Sequence, residues 1–232
     1  MKTFEPTKYV LETVATGRRF EDSGWMLADP QCKEPSLIRA VYDKKQIAFG
    51  PDAWGIYKFA DWMPVRRMLK GSASTVTYRS EKLGAKLGLP NLWIAFSGWW
   101  PEKGAEMATA SFKETEAYSV CAHIPDGERR ILVVASAGNT ARAFAKVCSE
   151  NSIPLLLSVP EENIGALWFE KPLNDCVKLI CPPKGCDYFD AIALGDAACT
   201  SPRFFAEGGA KNIARRDGMA TTVLSAAQAI GR

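Results

Sequence analysis

Long hydrophobic runs are missing from this 232-residue chain. Its longest apolar stretches, at 131–137 and 153–159, have the length of a strand, which excludes a membrane-crossing helix of some 18–20 apolar residues. The first nine residues are polar and lack the apolar centre of an export signal, so a cytoplasmic location is expected. A marked charge excess is also missing: 29 basic and 26 acidic residues leave a net +3, which argues against a dedicated nucleic-acid binder. No Cys-x-x-Cys occurs among the seven cysteines, and their odd number argues for reduced thiols rather than a disulfide framework. Cys176, Cys181 and Cys186 recur every five residues, but zinc knuckles use tighter pairs and the one histidine, His123, is far away in sequence. No metal site is expected. Repeats and low-complexity tracts are absent as well.

What is present is a 47% hydrophobic, 24% charged composition, ordinary for a globular protein with a substantial core. Residues 1–70 are unevenly patterned. Within them, 20–25 reads as a turn and 35–44 as a helix started by Pro35. The aromatic-rich segment 54–62 reads as core. Residues 80–87 predict an amphipathic helix ended by Gly88, and 92–96 a strand. A loop is expected over 97–109. From 130 onward the pattern alternates: strand 130–135, helix 140–151, strand 153–159, helix 166–173, strand 177–181, helix 188–199, loop 205–209 and helix 212–230. Apolar strands alternating with helices predict βαβ units and a parallel sheet, an α/β fold.

Two motifs carry chemistry. Ser111-Phe112-Lys113 opens a helical stretch, with Ser111 able to cap it and Lys113 in its first turn. A lysine amine held there can bind a carbonyl cofactor as an imine and later remove a proton; the bland alternative is a solvated surface lysine. Ser136-Ala137-Gly138-Asn139-Thr140 then forms a glycine turn between a strand and a helix. It lies at the carboxyl end of a strand, where open α/β sheets bind ligands, and it offers free amides and hydroxyls to an anion. Its bland alternative is a plain turn with Asn139 as a cap.

The ordered pair resembles the fold-type II pyridoxal-phosphate enzymes, the group of threonine synthases and cysteine-synthase-like proteins. Residues 55–65, 75–83 and 207–214 resemble further segments of threonine synthases, although the proline of their entry strand is absent at 75–83. Glu114-Thr115 stands where threonine synthases carry Asp-Arg. Residues 20–25, 96–104 and 111–117 are similar instead to the cysteate synthase family. The resemblance implies a tryptophan-synthase-β-like, three-layer αβα architecture with a parallel sheet. It would run as the first part of a large domain over 1–130, a small α/β domain over 131–205, and a return to the large domain over 206–232. It implies pyridoxal 5'-phosphate bound to Lys113, which would also shuttle a proton. Asn139 would contact the cofactor ring, and Ser136, Ala137, Gly138 and Thr140 would form a substrate-carboxylate loop. The implied reaction replaces the phosphate of O-phospho-L-serine by sulfite, giving L-cysteate in coenzyme M biosynthesis of methanogenic archaea. Lys103, Arg129, Arg130 and Arg142 are candidate partners for these anions. Small-molecule substrates, no nucleic acid, no membrane and a homo-oligomer complete the expectation. A threonine-synthase-like reaction on O-phosphohomoserine and a non-catalytic fragment are the alternatives. The family's glycine-rich phosphate loop has no match before residue 232, so the architecture is expected to be incomplete at the C-terminus.

Overall fold

The computed structural model describes residues 4–49 and 53–231; the outermost residues of the opening and closing segments, and 50–52, lie outside them. The chain opens with a three-stranded antiparallel sheet: β1 (Tyr9–Thr13) lies between β2 (Arg19–Phe20) and β3 (Ile38–Tyr42). Its register is pinned by charge. Glu12 on the central strand stands opposite both Arg19 and Arg39, bonded at 2.9 and 2.6 Å. The helix expected over 35–44 is therefore a strand. Ile38–Tyr42 supplies the free edge of β1 with five paired residues, and that pairing outweighs the helix-start signal of Pro35.

Residues Gly55–Trp62 form a 3-10 segment that buries Ile56, Tyr57 and Phe59, as core aromatics should. β4 (Val76–Arg79) leads into α1 (Glu81–Leu87), which ends at Gly88 in the left-handed conformation. β5 (Trp93–Phe96) pairs back onto β4. The expected loop over 97–109 contains a small hairpin, β6 (Trp99–Trp100) and β7 (Ala105–Glu106), turned at Gly104.

α2 (Lys113–His123) runs through the middle of the molecule, and every residue from Glu114 to His123 is buried. β8 (Ile131–Ala135), α3 (Asn139–Glu150), β9 (Leu155–Ser158), β10 (Val177–Ile180), α4 (Tyr188–Ala198), β11 (Phe204–Ala206) and α5 (Ile213–Ile230) follow. The four strands make one parallel sheet in the order β10-β9-β8-β11. α4 lies on one face, with Gly195 against Val133, Ala135 and Ser158. Leu132, Val134, Leu155 and Leu157 point to the other face, into the core shared with α2 and α3. Two expectations fail here. The helix expected over 166–173 is absent: a short 3-10 turn (Glu161–Ala166) ends where it was to begin, and 167–173 are irregular. Residues 204–206 form a strand because the exposed side of β8 offers an edge to pair with. No described helix is long and apolar enough to cross a membrane.

The topology sets the position of any ligand site. From β8 the chain moves outward to β9 and β10, then returns across to β11 on the opposite side of β8. The carboxyl ends of β8 and β11 thus face a crevice where strand order reverses, the place where open α/β sheets bind ligands.

α5 crosses α2 at Gly218. A Cβ added there would stand 2.5 Å from both the Ser119 Cβ and the Thr115 carbonyl oxygen. Gly218→Ala must push the helices apart, and a loss of about 1–3 kcal/mol is expected in urea denaturation. An unchanged midpoint would mean the two helices do not meet this closely.

The preceding residue on α5, Asp217, turns instead toward β3, where the Tyr42 hydroxyl donates to its Oδ2 at 2.5 Å. Burial pushes the Asp217 carboxyl up to about 6, against the opposing pull of Tyr42 and Arg216. Its folded state therefore holds a proton more tightly than the unfolded chain. The stability it contributes is complete below about pH 4 and is lost as pH rises through about 6. Asp217→Asn should remove that loss. Its stability relative to the parent should gain about 2 kcal/mol between pH 4 and pH 7, a figure reduced for the part of Asp217 that meets solvent. A flat difference across that range would contradict the assignment.

Candidate active site

Four elements converge at the crevice: the start of α2, the β8–α3 turn, the end of β11 and the first turns of α5. Ser111 Oγ accepts the Lys113 N–H at 3.3 Å, which supplies the expected cap. Ala110, just before it, is one of two non-glycine residues with positive φ among the described residues, at 51°. That left-handed turn swings the chain into α2 and is a local strain next to the lysine.

Lys113 is half-buried. Its Nζ donates to Glu116 Oε1 at 2.7 Å, one helical turn on, and lies 4.5 Å from the Phe112 ring centroid. Glu116 is only 2% exposed. Its other oxygen accepts from Arg215 Nε at 2.8 Å. Arg215 then reaches Glu207 Oε2 at 2.7 Å and Thr140 Oγ1 at 3.3 Å. Burial pushes the Glu207 carboxyl up, while Arg215 and the Gly209 N–H hold it down. One guanidinium thus joins α2, α3 and the end of β11. The lysine and the glycine turn, distant in sequence, meet through it.

The turn itself is built as expected from its sequence. Ser136 is buried, its N–H bonds the Ser158 carbonyl at 3.1 Å, and its Oγ accepts the Gly138 N–H at 3.3 Å. Ala137 and Gly138 are half-buried, and a Cβ placed on Gly138 would meet nothing within 4 Å, so the turn opens onto free space. Asn139 is exposed as the first residue of α3, and Thr140 is half-buried against Arg215. The first N–H groups of α3, free by helix geometry, point into the same space.

Of the four cations singled out in the sequence, one is at the site. Lys103 lies over the Tyr78 and Trp100 rings, and Arg130 pairs with Glu128 at 2.6 Å. For Arg129 the described contacts include only its backbone N–H on Glu128. Arg142 bonds Asn139 Oδ1 at 3.3 Å. Sequence reasoning missed Glu116 and Arg215. The spacing of Lys113 and Glu116, three apart on a helix, was a visible signal; nothing local marks Arg215. Among the described residues no group of three His, Cys, Asp or Glu side chains gathers as a metal site.

Over 225 residues the chain is 43% identical to the cysteate synthase of Methanospirillum hungatei, covering 97% of this chain and 52% of that protein. It is 39% identical to the cysteate synthase of Methanosarcina acetivorans, over 97% of this chain and 53% of that one. The chain therefore spans about half the length of the curated relatives it matches. Among solved structures, diaminopropionate ammonia lyase from Escherichia coli in complex with D-serine aligns at a TM-score of 0.51 and 16% identity, covering 71% of this chain and 47% of that one. This likeness is one of fold: the chain adopts the expected fold-type II architecture with its parallel sheet. No protein-family model matches the chain.

Proposed function

We propose that this chain carries the cofactor lysine of a pyridoxal-phosphate-dependent cysteate synthase, which converts O-phospho-L-serine and sulfite to L-cysteate and phosphate. The observation that carries the reading is the meeting of Lys113 with the Ser136–Thr140 turn at the switch point of the sheet, in a chain so similar to cysteate synthases.

The residues present fit the cofactor. Lys113 Nζ lies at the mouth of the crevice rather than deep in the core. Gly138 leaves open space at the turn, and Asn139, at the amino end of α3, is exposed. When bound, pyridoxal phosphate supplies an electron sink for the bond to the substrate Cα. Lys113 would hold it, and its amine, set free when the substrate amine takes its place, would take the proton from Cα of O-phosphoserine and return it after Cβ exchanges its C–O bond to phosphate for a C–S bond to sulfite. Glu116 receives the lysine head when it is not engaged. Asn139 orients the cofactor ring, and Ser136, Ala137, Gly138 and Thr140 bind the substrate carboxylate through hydroxyls and backbone N–H groups. Arg215 keeps Thr140 and Glu116 in register with each other. In this reading the sheet of β8 to β11 is the core of the small domain, over 131–205, and α5 returns the chain to the large one.

The test supplies the chain with pyridoxal phosphate, O-phosphoserine and sulfite, and follows cysteate by mass spectrometry. Cysteate formed at the expense of phosphoserine is the expected result. Turnover of O-phosphohomoserine to threonine in its place would assign a threonine-synthase-like reaction, and no product from either substrate would remove the claim that this chain is catalytic.

A further inference from the structure

We propose that the cavity beneath residues 168–173, lined along α3 from Arg142 to Glu150, is a binding site for a small oxyanion, held by Arg142 with help from Thr109. The cavity measures about 130 Å³. Arg142 on α3 lines it, is 5% exposed, and has no carboxylate within ion-pair distance among the described residues. Its guanidinium lies 3.5 Å from the Trp168 ring centroid, with Nε on the Trp168 carbonyl at 3.3 Å and Nη1 on Asn139. Nη2 is buried and makes no hydrogen bond. A buried guanidinium without a counter-charge is costly, and the usual remedy is an anion.

A second donor in the same wall is equally unsatisfied. Thr109 is 4% exposed, and its Oγ1 makes no hydrogen bond of normal geometry, with the Glu114 carboxyl beside it. Its N–H is taken by Glu114 Oε1. The remaining charges do not answer Arg142. Lys146 lies between Glu150 at 3.0 Å and Glu114 at 3.6 Å and also bonds the Tyr118 hydroxyl, so these three charges are occupied with one another. Glu114 Oε2 accepts no hydrogen bond and makes its ion-pair contact with Lys146 rather than with Arg142, while burial pushes its carboxyl up against the pull of Lys146. Glu170 and Lys171 line the cavity with opposite signs. The net offer is a planar N–H edge and a hydroxyl in a largely apolar cavity walled by Trp168, Phe169 and Pro172. That geometry suits oxygens on one small anion, in surroundings that strengthen each bond. The volume holds several waters, and hence a trigonal or tetrahedral oxyanion, but nothing as large as a nucleotide.

The bond from Arg142 to Asn139 links the guanidinium that would hold this anion to the residue assigned to the cofactor ring. Resting on the function proposed above, the occupant is the oxyanion that the reaction consumes. The binding itself does not depend on that reading, and its test needs neither cofactor nor turnover. The chain is titrated with sodium sulfite at constant ionic strength, against sodium chloride, by calorimetry and by tryptophan fluorescence, with Trp168→Phe identifying the signal of Trp168. Saturable binding with a change in Trp168 emission is expected, and Arg142→Gln should weaken it at least tenfold with the circular dichroism unchanged. Sulfite that behaves as chloride, or equal affinity in Arg142→Gln, overturns the proposal. If Arg142→Gln does not fold, Thr109→Val keeps charge and shape and carries the test, with unchanged affinity as the contrary result. Sulfate and acetate form further arms: equal, Arg142-dependent binding of all three supports a general oxyanion site, and preference for sulfite ties it to the reaction. Arg142-dependent binding without any cysteate would leave this site standing while the proposed function falls.

Discussion

Replacing Lys113 by alanine is expected to abolish attachment of pyridoxal phosphate to the chain. After incubation with the cofactor and borohydride reduction, the parent should carry the added mass on the peptide containing Lys113, and the variant should not. The visible absorbance of the lysine-bound cofactor should vanish with it. If turnover is present, it should fall by about 10³-fold or more, since both the anchor and the proton carrier are lost. Loss of fold cannot imitate this result. Lys113 is partly exposed, and Glu116 keeps Arg215 as its partner when the amine is gone, so the stability change should stay within about 1 kcal/mol. Lys113→Arg sharpens the test, because it keeps the charge opposite Glu116 but cannot form the imine. Label spread over other lysines in the parent, with none on Lys113, would sink the assignment.

How much of this was legible in the sequence depends on how local each cause is. The β8-turn-α3 unit was readable because every signal lies within it: a buried apolar strand, a glycine where the chain turns, then an amphipathic helix. Gly88 and Asn212 marked helix ends in the same local way. β3 was not readable as a strand. Its pairing with β1 depends on Glu12, 27 residues away from Arg39 in the chain. β11 spans three residues and exists only because β8 has an edge to fill. At the site, the residue types of both motifs could be picked out, but not the link between them. Arg215 reaches Glu116 across 99 positions, a distance over which no periodicity or spacing rule operates. The same applies to Arg142: one cation among four in the sequence, it is set apart only by the Trp168 ring and the cavity that the fold brings to it.

Arg215→Met should be the most destabilising single change at the site, costing about 3–5 kcal/mol in urea denaturation. Arg215 is the only cation within ion-pair distance of Glu207 among the described residues, and Glu207 is 5% exposed with one oxygen already without a partner. Glu116 fares better, since Lys113 stays on its other oxygen. The cost therefore falls mainly on Glu207, and it has a sign in pH. Without the guanidinium, burial acts on Glu207 unopposed except by the Gly209 N–H, so its folded carboxyl rises further above its unfolded value. A group raised in this way contributes stability at low pH and loses it as pH rises. The deficit of Arg215→Met against the parent should thus be largest near pH 8 and shrink toward pH 5. Adding Glu207→Gln should recover much of the loss at neutral pH, because the amide removes the charge and keeps the shape. It should not restore cofactor attachment to the parent level, since Thr140 and Glu116 would still lack the guanidinium that holds α3 against α2. A deficit under about 1 kcal/mol that does not vary with pH would mean that Arg215 is not what joins the lysine to the turn.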